Sequence, residues 1–356
     1  MNAEAKHASV ILDSIAKAVA NWTVDKHAEA APQLAERYGA TWRADWISHT
    51  LAQLHLLAQA VAVRSADLFT ESMKWTRESF RARGIDSTDL DENTRCLRSV
   101  LASELPAPVD TLVLSYVDAS LARAEEAPQG GDGVAAAVQE TVVLEYLAAI
   151  LNGERAAAEA LVLGQAEAGL GLADIYEGIL APVQERLGRM WHRGEITVAD
   201  EHFGSATTQT VMAQLRPRFP RAAANGHIVV ATSTPGDLHE IGLRMVADLF
   251  EIDGWNVVYL GANTPVADVV ELLERRRPHL LALAVSTALT LRDAGALIEG
   301  VRARAALAAT RILVGGPTFR MVPDLWRELG ADGCALSASE AVKVGNRLVA
   351  STSDAR

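Results

Sequence analysis

The chain reads as two α-helical segments followed by a doubly wound parallel α/β domain with five strands. Three observations predict this. From residue 226 onwards, short runs that are apolar on both faces alternate with helical stretches, the pattern of parallel strands covered by helices on both sides. Before residue 226, apolar residues recur at helical spacing. Two polar breaks divide the chain: Ala127-Pro128-Gln129-Gly130-Gly131-Asp132-Gly133, rich in Pro and Gly, and the stretch from Arg221 to Gly226. The expected organisation is a helical domain at 1–127, a linker at 128–133, a helical cap at 134–222 and the α/β domain at 226–356.

In the first segment Phe69, Met73 and Phe80 follow helical spacing, and that helix should stop at Gly84, a C′ glycine after Arg81 and Arg83. A further helix is expected from about Asp89 to Ser103, ending before Pro106. The second segment reads as four helices. Asn152-Gly153 separates the first two, and Gly169-Leu170-Gly171 the next two. The third carries Leu172, Ile175, Tyr176, Ile179, Leu180, Val183, Leu187, Met190 and Trp191 on one broad apolar face. Pro182 should kink or divide it, and Arg193-Gly194 should end it. Thr197, with Asp200 three residues on, is a plausible N-cap for the fourth. The strands are expected at His227–Thr232, Asn256–Leu260, Leu280–Ser286, Arg311–Val314 and Gly333–Leu336. Helices should lie near 240–252, 265–276, 290–306, 320–329 and 338–350.

Composition excludes several classes of function. Lys and Arg total 33 against 45 Asp and Glu, a net charge of −12, which argues against gripping nucleic acid or an anionic membrane. Residues 1–127 alone hold 13 basic and 18 acidic side chains, a net of −5, with no basic recognition helix. Cys96 and Cys334 fit no CxxC pattern, so neither a disulfide framework nor a Cys-based zinc site is expected. No run of 18 apolar residues could span a membrane, and MNAEAKHASV is not a secretory leader, so a cytoplasmic location is expected.

In doubly wound sheets ligands bind beyond the carboxyl ends of the strands. The loop after the first strand holds Asp237-x-His239-x-x-Gly242. A histidine there can ligate a metal, and a carboxylate two residues earlier can accept its other ring N–H and fix the tautomer. A glycine lets something large approach the backbone. The plainer alternative is a helix start capped by Asp237 with a solvated His239. The third strand ends in the hydroxyl-rich Ser286-Thr287-Ala288-Leu289-Thr290, and the fourth in Gly315-Gly316-Pro317. Hydroxyls can bond a buried nitrogen heterocycle, and paired glycines leave room for a nucleotide-like tail. Each alone could be an ordinary strand-to-helix turn.

In combination Asp237-Leu238-His239, Gly242, Ser286, Leu289 and Gly315-Gly316 resemble the cobalamin-binding module shared by methionine synthase, mutases and corrinoid proteins, a flavodoxin-like (Rossmann-like) domain. The resemblance implies that His239 binds cobalt from the lower face. It implies that Asp237 and Ser286 form a relay to His239, and that the dimethylbenzimidazole tail lies past Ser286 and Gly315-Gly316. In the cap, Trp191, nine intervening residues, then Glu201-His202 resembles the motif of cobalamin light sensors of the CarH/LitR type. By that resemblance a four-helix bundle covers the upper corrin face, Trp191 packs against the adenosyl group, and Glu201 and His202 shape the same pocket. His192 would be a possible upper cobalt ligand after light. From its residues alone Trp191 could equally be core, and Glu201 a first-turn acidic residue favoured by the helix dipole. His7, His27, His49 and His55 show no metal-type pairing.

That family carries a basic DNA-binding domain before the cap, whereas here an acidic helical domain stands in its place. The expectation is a non-enzymatic light sensor holding adenosylcobalamin, or methylcobalamin or hydroxocobalamin. Light-dependent homo-oligomerisation would accompany it, and output would go to a regulatory protein through residues 1–127 rather than to nucleic acid. The alternatives are a corrinoid methyl carrier for a methyltransferase system and a cobalamin-binding adaptor or antirepressor.

Overall fold

The structure is a computed structural model and describes residues 3–126 and 140–353. The expected linker at 128–133 lies outside the described residues. The chain divides into two compact units, Met1–Gly131 and Asp132–Arg356.

The first unit is helical: α1 (Ala3–Ala30), α2 (Leu34–Tyr38), α3 (Trp42–Ala62), α4 (Ala66–Ala82), α5 (Ser87–Glu104) and α6 (Val109–Ala122). Ser65 caps α4 by accepting the Leu68 N–H, and Gly84 follows its end at φ 72°, a conformation in which a Cβ is strained. Asp86 caps α5 by accepting the Thr88 N–H. α1 packs along α3, and Leu12, Ala16 and Val19 of the one and Leu54, Leu57 and Val61 of the other are buried. Trp46 sits inside the unit with the rings of His27, His49 and Phe80 set edge-on to it at 4.8, 5.7 and 5.7 Å.

The second unit begins with the cap: α7 (Glu140–Leu151), α8 (Arg155–Glu167), α9 (Leu172–Ile175), α10 (Ala181–His192) and α11 (Val198–Leu215). α9 and α10 form one rod, joined by a π-helical turn at Tyr176–Leu180. This is where the break expected from Pro182 falls. Proline removes a helical N–H, and the ladder adjusts just before it, so that the Ala181 N–H bonds the Tyr176 carbonyl five residues back. Thr197 and Asp200 close a reciprocal capping box on α11. At Gly204 a Cβ would lie 2.5 Å from Leu187 Cδ1, so glycine there lets α11 approach α10 closely. The cap core of Val143, Tyr146, Ile150, Val162, Ile179, Val183, Leu187, Val211 and Leu215 continues into Met245 and Leu249 of the next helix, seating the cap on the α/β part.

That part runs β1 (Ile228–Ser233), α12 (Ile241–Ile252), β2 (Asn256–Gly261), α13 (Val266–Arg276), β3 (Leu280–Ala284), α14 (Leu291–Arg302), β4 (Arg311–Gly315), α15 (Pro317–Met321), α16 (Leu325–Glu328), β5 (Gly333–Ala335) and α17 (Ala338–Ser353). The five strands are parallel in the order β2-β1-β3-β4-β5. The helix expected over 320–329 is interrupted because Pro323 drives Val322 to an extended backbone, φ −133° and ψ 88°. Pairing of Ser233 with Ala284, Ala284 with Gly315 and Gly315 with Ala335 brings the strand ends to one edge. The chain turns one way from β1 to β2 and the other way to β3, which makes the carboxyl end of β1 the switch point at which doubly wound sheets take ligands.

Candidate functional site

The loop after β1 is held by its own polar groups. Thr234 donates its N–H to the Ala284 carbonyl at 3.1 Å and shares a buried hydroxyl contact with Thr290 at 2.9 Å. Gly236, at φ 78°, donates its N–H to Asn263 Oδ1 at 2.8 Å. These contacts place Asp237 under His239. Asp237 Oδ1 faces His239 Nδ1 at 2.9 Å and accepts the His239 backbone N–H at 3.0 Å, while Oδ2 accepts the Ser286 backbone N–H at 2.7 Å. The two side chains differ sharply in exposure: Asp237 is 0% exposed and His239 is 75% exposed.

Burial pushes the Asp237 carboxyl up, but the His239 ring and the two backbone N–H donors outweigh it and hold the group below the usual carboxylate range. The same Asp237 contact raises His239 against the opposing effect of burial. A carboxylate on Nδ1 makes that nitrogen the donor and leaves Nε2 as the outward-facing lone pair of the neutral ring. This is the donor set a metal ligand needs.

Ser286 does meet Asp237, but through its backbone N–H. Its hydroxyl points to the His239 carbonyl at 3.4 Å instead. The glycine pair follows directly. The Val285 N–H bonds the Gly315 carbonyl at 2.9 Å. A Cβ at Gly316, where φ is 121°, would lie 2.4 Å from the Val285 carbonyl oxygen, and one at Gly315 would lie 2.7 Å from that of Ala335. Only glycine permits this close passage of three chain segments. Gly242, in the first turn of α12, has nothing within 4 Å of a would-be Cβ, so its space opens outwards. Leu238, next to His239 in the loop after β1, is 72% exposed, and Leu289, in the loop after β3, is 46% exposed.

The cap contributes the corner between α10 and α11. Trp191 is 44% exposed and so is not core. His192 is the last residue of α10. Glu201 accepts from Ser205 at 2.7 Å and meets His202 Nδ1 at 2.6 Å. Ser205 is tied through Gln184 and Thr208 to the buried Tyr146 hydroxyl, which fixes the Glu201 carboxylate from behind. Glu201 is close enough to His239 for its charge to favour the protonated ring. Glu201 thus brings the cap corner near the histidine loop, and Trp191 and Val198 on the cap and Leu238 and Leu289 on the loops after β1 and β3 are exposed apolar side chains. The arrangement fits a large, flat, partly apolar ligand that brings a metal to His239: one aimed imidazole, a glycine passage and uncovered apolar side chains around them. Sequence reading missed Asn263 and the bracing of the loop by Thr234 and Thr290. Asn263 at φ 55° in the turn after β2 was the one local signal, since asparagine is favoured in that conformation.

These features define a cobalamin-binding protein. Residues 143–216 and 227–344 each match a family model described as a B12 binding domain. A corrinoid protein of Desulfitobacterium hafniense is 26% identical over 211 residues, covering 58% of this chain and 96% of the relative. Dimethylamine corrinoid protein 2 of Methanosarcina mazei is 24% identical, covering 60% and 99%. The structure of the Methanosarcina barkeri monomethylamine corrinoid protein superposes with a TM-score of 0.54 at 21% identity, over 59% of this chain and 99% of that one, and shares the fold.

The relatives overturn the expectation of a cobalamin light sensor that signals by photolysis. They are corrinoid proteins aligned over nearly their whole length, two of them named for methylamines. The physical reason is that Trp191, Glu201 and His202 form one helix–helix corner. Any cap that shields a corrin's upper face needs apolar cover with a polar group beside it, so the corner does not separate a sensor from a carrier. The role expected for His192 after illumination and the light-dependent oligomer belonged to that reading, and the corrinoid relatives lend them no support.

Proposed function

We propose that this protein is a corrinoid methyl carrier that serves a separate methyltransferase and catalyses no reaction alone. When bound, the corrinoid supplies a cobalt centre that accepts a methyl group and gives it up. The observation that carries the reading is the pairing of buried Asp237 with exposed His239 at the switch point of the sheet, beneath the α10–α11 corner. His239 would hold cobalt through Nε2, and Asp237 would fix the tautomer. Gly315 and Gly316 would leave passage for the nucleotide tail, and Trp191, Glu201 and His202 would exclude water from the upper face. Methylcobalamin is the loaded form this role uses, rather than adenosylcobalamin. The corrinoid relatives support the role.

One observation favours an added regulatory layer. The relatives are matched almost entirely yet cover only 58–60% of this chain. The acidic helical unit at 1–126 would dock a protein partner, either the methyltransferase or a regulator, in a cytoplasmic setting. Among the described residues no helix is long and apolar enough to cross a membrane.

The test loads the full-length protein with methylcobalamin and adds a thiol, with and without the methyltransferase from the same organism. Rapid demethylation that requires the enzyme is the expected result. Demethylation no faster than that of free methylcobalamin would defeat the carrier reading.

A further inference from the structure

A cavity lies next to the histidine loop and belongs to none of the features above. It has a volume of about 130 Å³ and is lined by Gln209, Met212 and Ala213 of α11, Glu240, Ile241 and Arg244 at the start of α12, and Tyr259 near the end of β2. Glu240 directly follows His239, so the cavity opens at the same sheet edge. Its volume corresponds to about four water molecules at roughly 30 Å³ each, enough for a short chain with a polar end.

The polar groups are held in place. Glu240 Oε1 accepts from Gln209 Nε2 at 3.0 Å, and Oε2 accepts from the Tyr259 hydroxyl at 3.2 Å. Arg244 lies over the Tyr259 ring at 5.1 Å and donates Nε to Asp248 at 3.0 Å. Its terminal nitrogens have no protein partner among the described residues. Each Glu240 oxygen has a lone pair left, and Gln209 contributes a further carbonyl oxygen. The cavity therefore presents acceptors and donors side by side, with Met212, Ala213 and Ile241 as apolar walls. That combination complements a primary carboxamide on a short methylene stem: NH₂ towards Glu240 and Gln209, C=O towards Arg244.

Resting on the cobalamin-binding reading, we infer that this cavity is a subsite for one propionamide arm of the corrin ring, and that it sets the rotation of the ring over His239. The chain bridges cap and sheet here, so filling the cavity also ties α11 to α12.

Cobalamins with a single propionamide hydrolysed to a carboxylate exist as three isomers and make the test direct. A carboxylate in the cavity would lose the N–H donors that Glu240 accepts and would face its like charge, while Asp248 already neutralises Arg244. Titration of the full-length protein, followed by the absorption shift on binding, should show one isomer at least tenfold weaker than the other two. Glu240→Gln should close most of that gap for that isomer alone. Equal binding of all three isomers, or an equal shift of all three by Glu240→Gln, would overturn the subsite while leaving cobalamin binding intact. If neither cobalamin nor any isomer binds, the cobalamin-binding reading fails and the subsite fails with it.

Discussion

The site depends on an unequal pair. A buried carboxylate that accepts two backbone N–H groups is expensive to form and hard to move, so the loop between β1 and α12 is shaped around Asp237, not around His239. His239→Ala should remove the imidazole from cobalt. Absorption spectra of the hydroxocobalamin complex should lose the histidine-ligated form and affinity should fall. Retention of both would mean that another group binds the metal. Asp237→Asn should weaken affinity by about 10–100-fold, the usual effect of losing the group behind a metal-bound histidine. Ser286 separates two accounts of the same contact. Because its backbone donates to Asp237, Ser286→Ala should bind corrinoid within a few-fold of the native protein, whereas Ser286→Pro, which has no N–H, should bind as poorly as an Asp237 variant. A large loss in Ser286→Ala would return the role to the hydroxyl. At this scale the sequence discloses residues whose partners are near in the chain, such as Asp237 with His239. It hides partners that only folding brings together. Nothing local to Glu240 announces Gln209, 31 positions away, or Tyr259, 19 positions away.

The elements divide along the same line. The strands are legible to within about two residues because each is apolar on both faces and short, a pattern that helices rarely imitate. The glycine and capping signals at Gly84 and Thr197 hold because they act within one turn. The π turn at Tyr176–Leu180 is not legible. Its position is set by Pro182 together with the demand of a residue far along the chain: the Tyr176 hydroxyl donates to buried Asp248 at 2.7 Å. Burial pushes the Asp248 carboxyl up, and that bond with Arg244 opposes the shift. Tyr176→Phe leaves this carboxylate short of a donor at the seam of cap and sheet, so about 1–3 kcal/mol of stability should be lost. Denaturant unfolding of the second unit checks this, and a change below ~0.5 kcal/mol would show that the turn is held by packing alone. Gly204 makes the complementary case for the cap corner. Gly204→Val would push against Leu187 and should cost about 1–3 kcal/mol by overpacking. The same substitution should spread α10 from α11 and loosen corrinoid binding, because Trp191 and Glu201 sit on those two helices.

Across the whole molecule the two units have cores of different chemistry. The second hides its apolar strands and helices with few ionisable groups inside, while the first buries Thr23, His27, Thr50, Gln53, Asn93 and Thr94 along its α1, α3 and α5 faces. His27 Nδ1 meets the Asn93 amide at 3.4 Å, but among the described residues the Nε2 atoms of His27 and His49 have no hydrogen-bond partner, nor do Thr23 Oγ1 and Gln53 Oε1. Spacing alone gave no reason to pair these histidines, since His27 lies on α1 and His49 on α3. Burial drives His27 down from its ordinary value despite the nearby carboxylates Asp89 and Glu92, and burial together with His27 pushes His49 down to about 4. The folded state therefore holds both rings neutral, and the unfolded chain binds protons more readily. The stability they allow is complete above pH 6.5 and declines as the pH falls from there towards 4. For His49 alone the loss approaches about 3 kcal/mol at the acid end of that window. Calorimetry of the full chain between pH 7.5 and 4.5 should resolve two transitions, with the one from the first unit falling more steeply with acid. His49→Leu should flatten that fall, since an apolar side chain of similar bulk has no charge to acquire. Transitions that move in parallel, or a His49→Leu protein as acid-sensitive as the native one, would place the acid-labile groups elsewhere. The acidic unit would then be no more sensitive to protons than the corrinoid-binding unit it precedes.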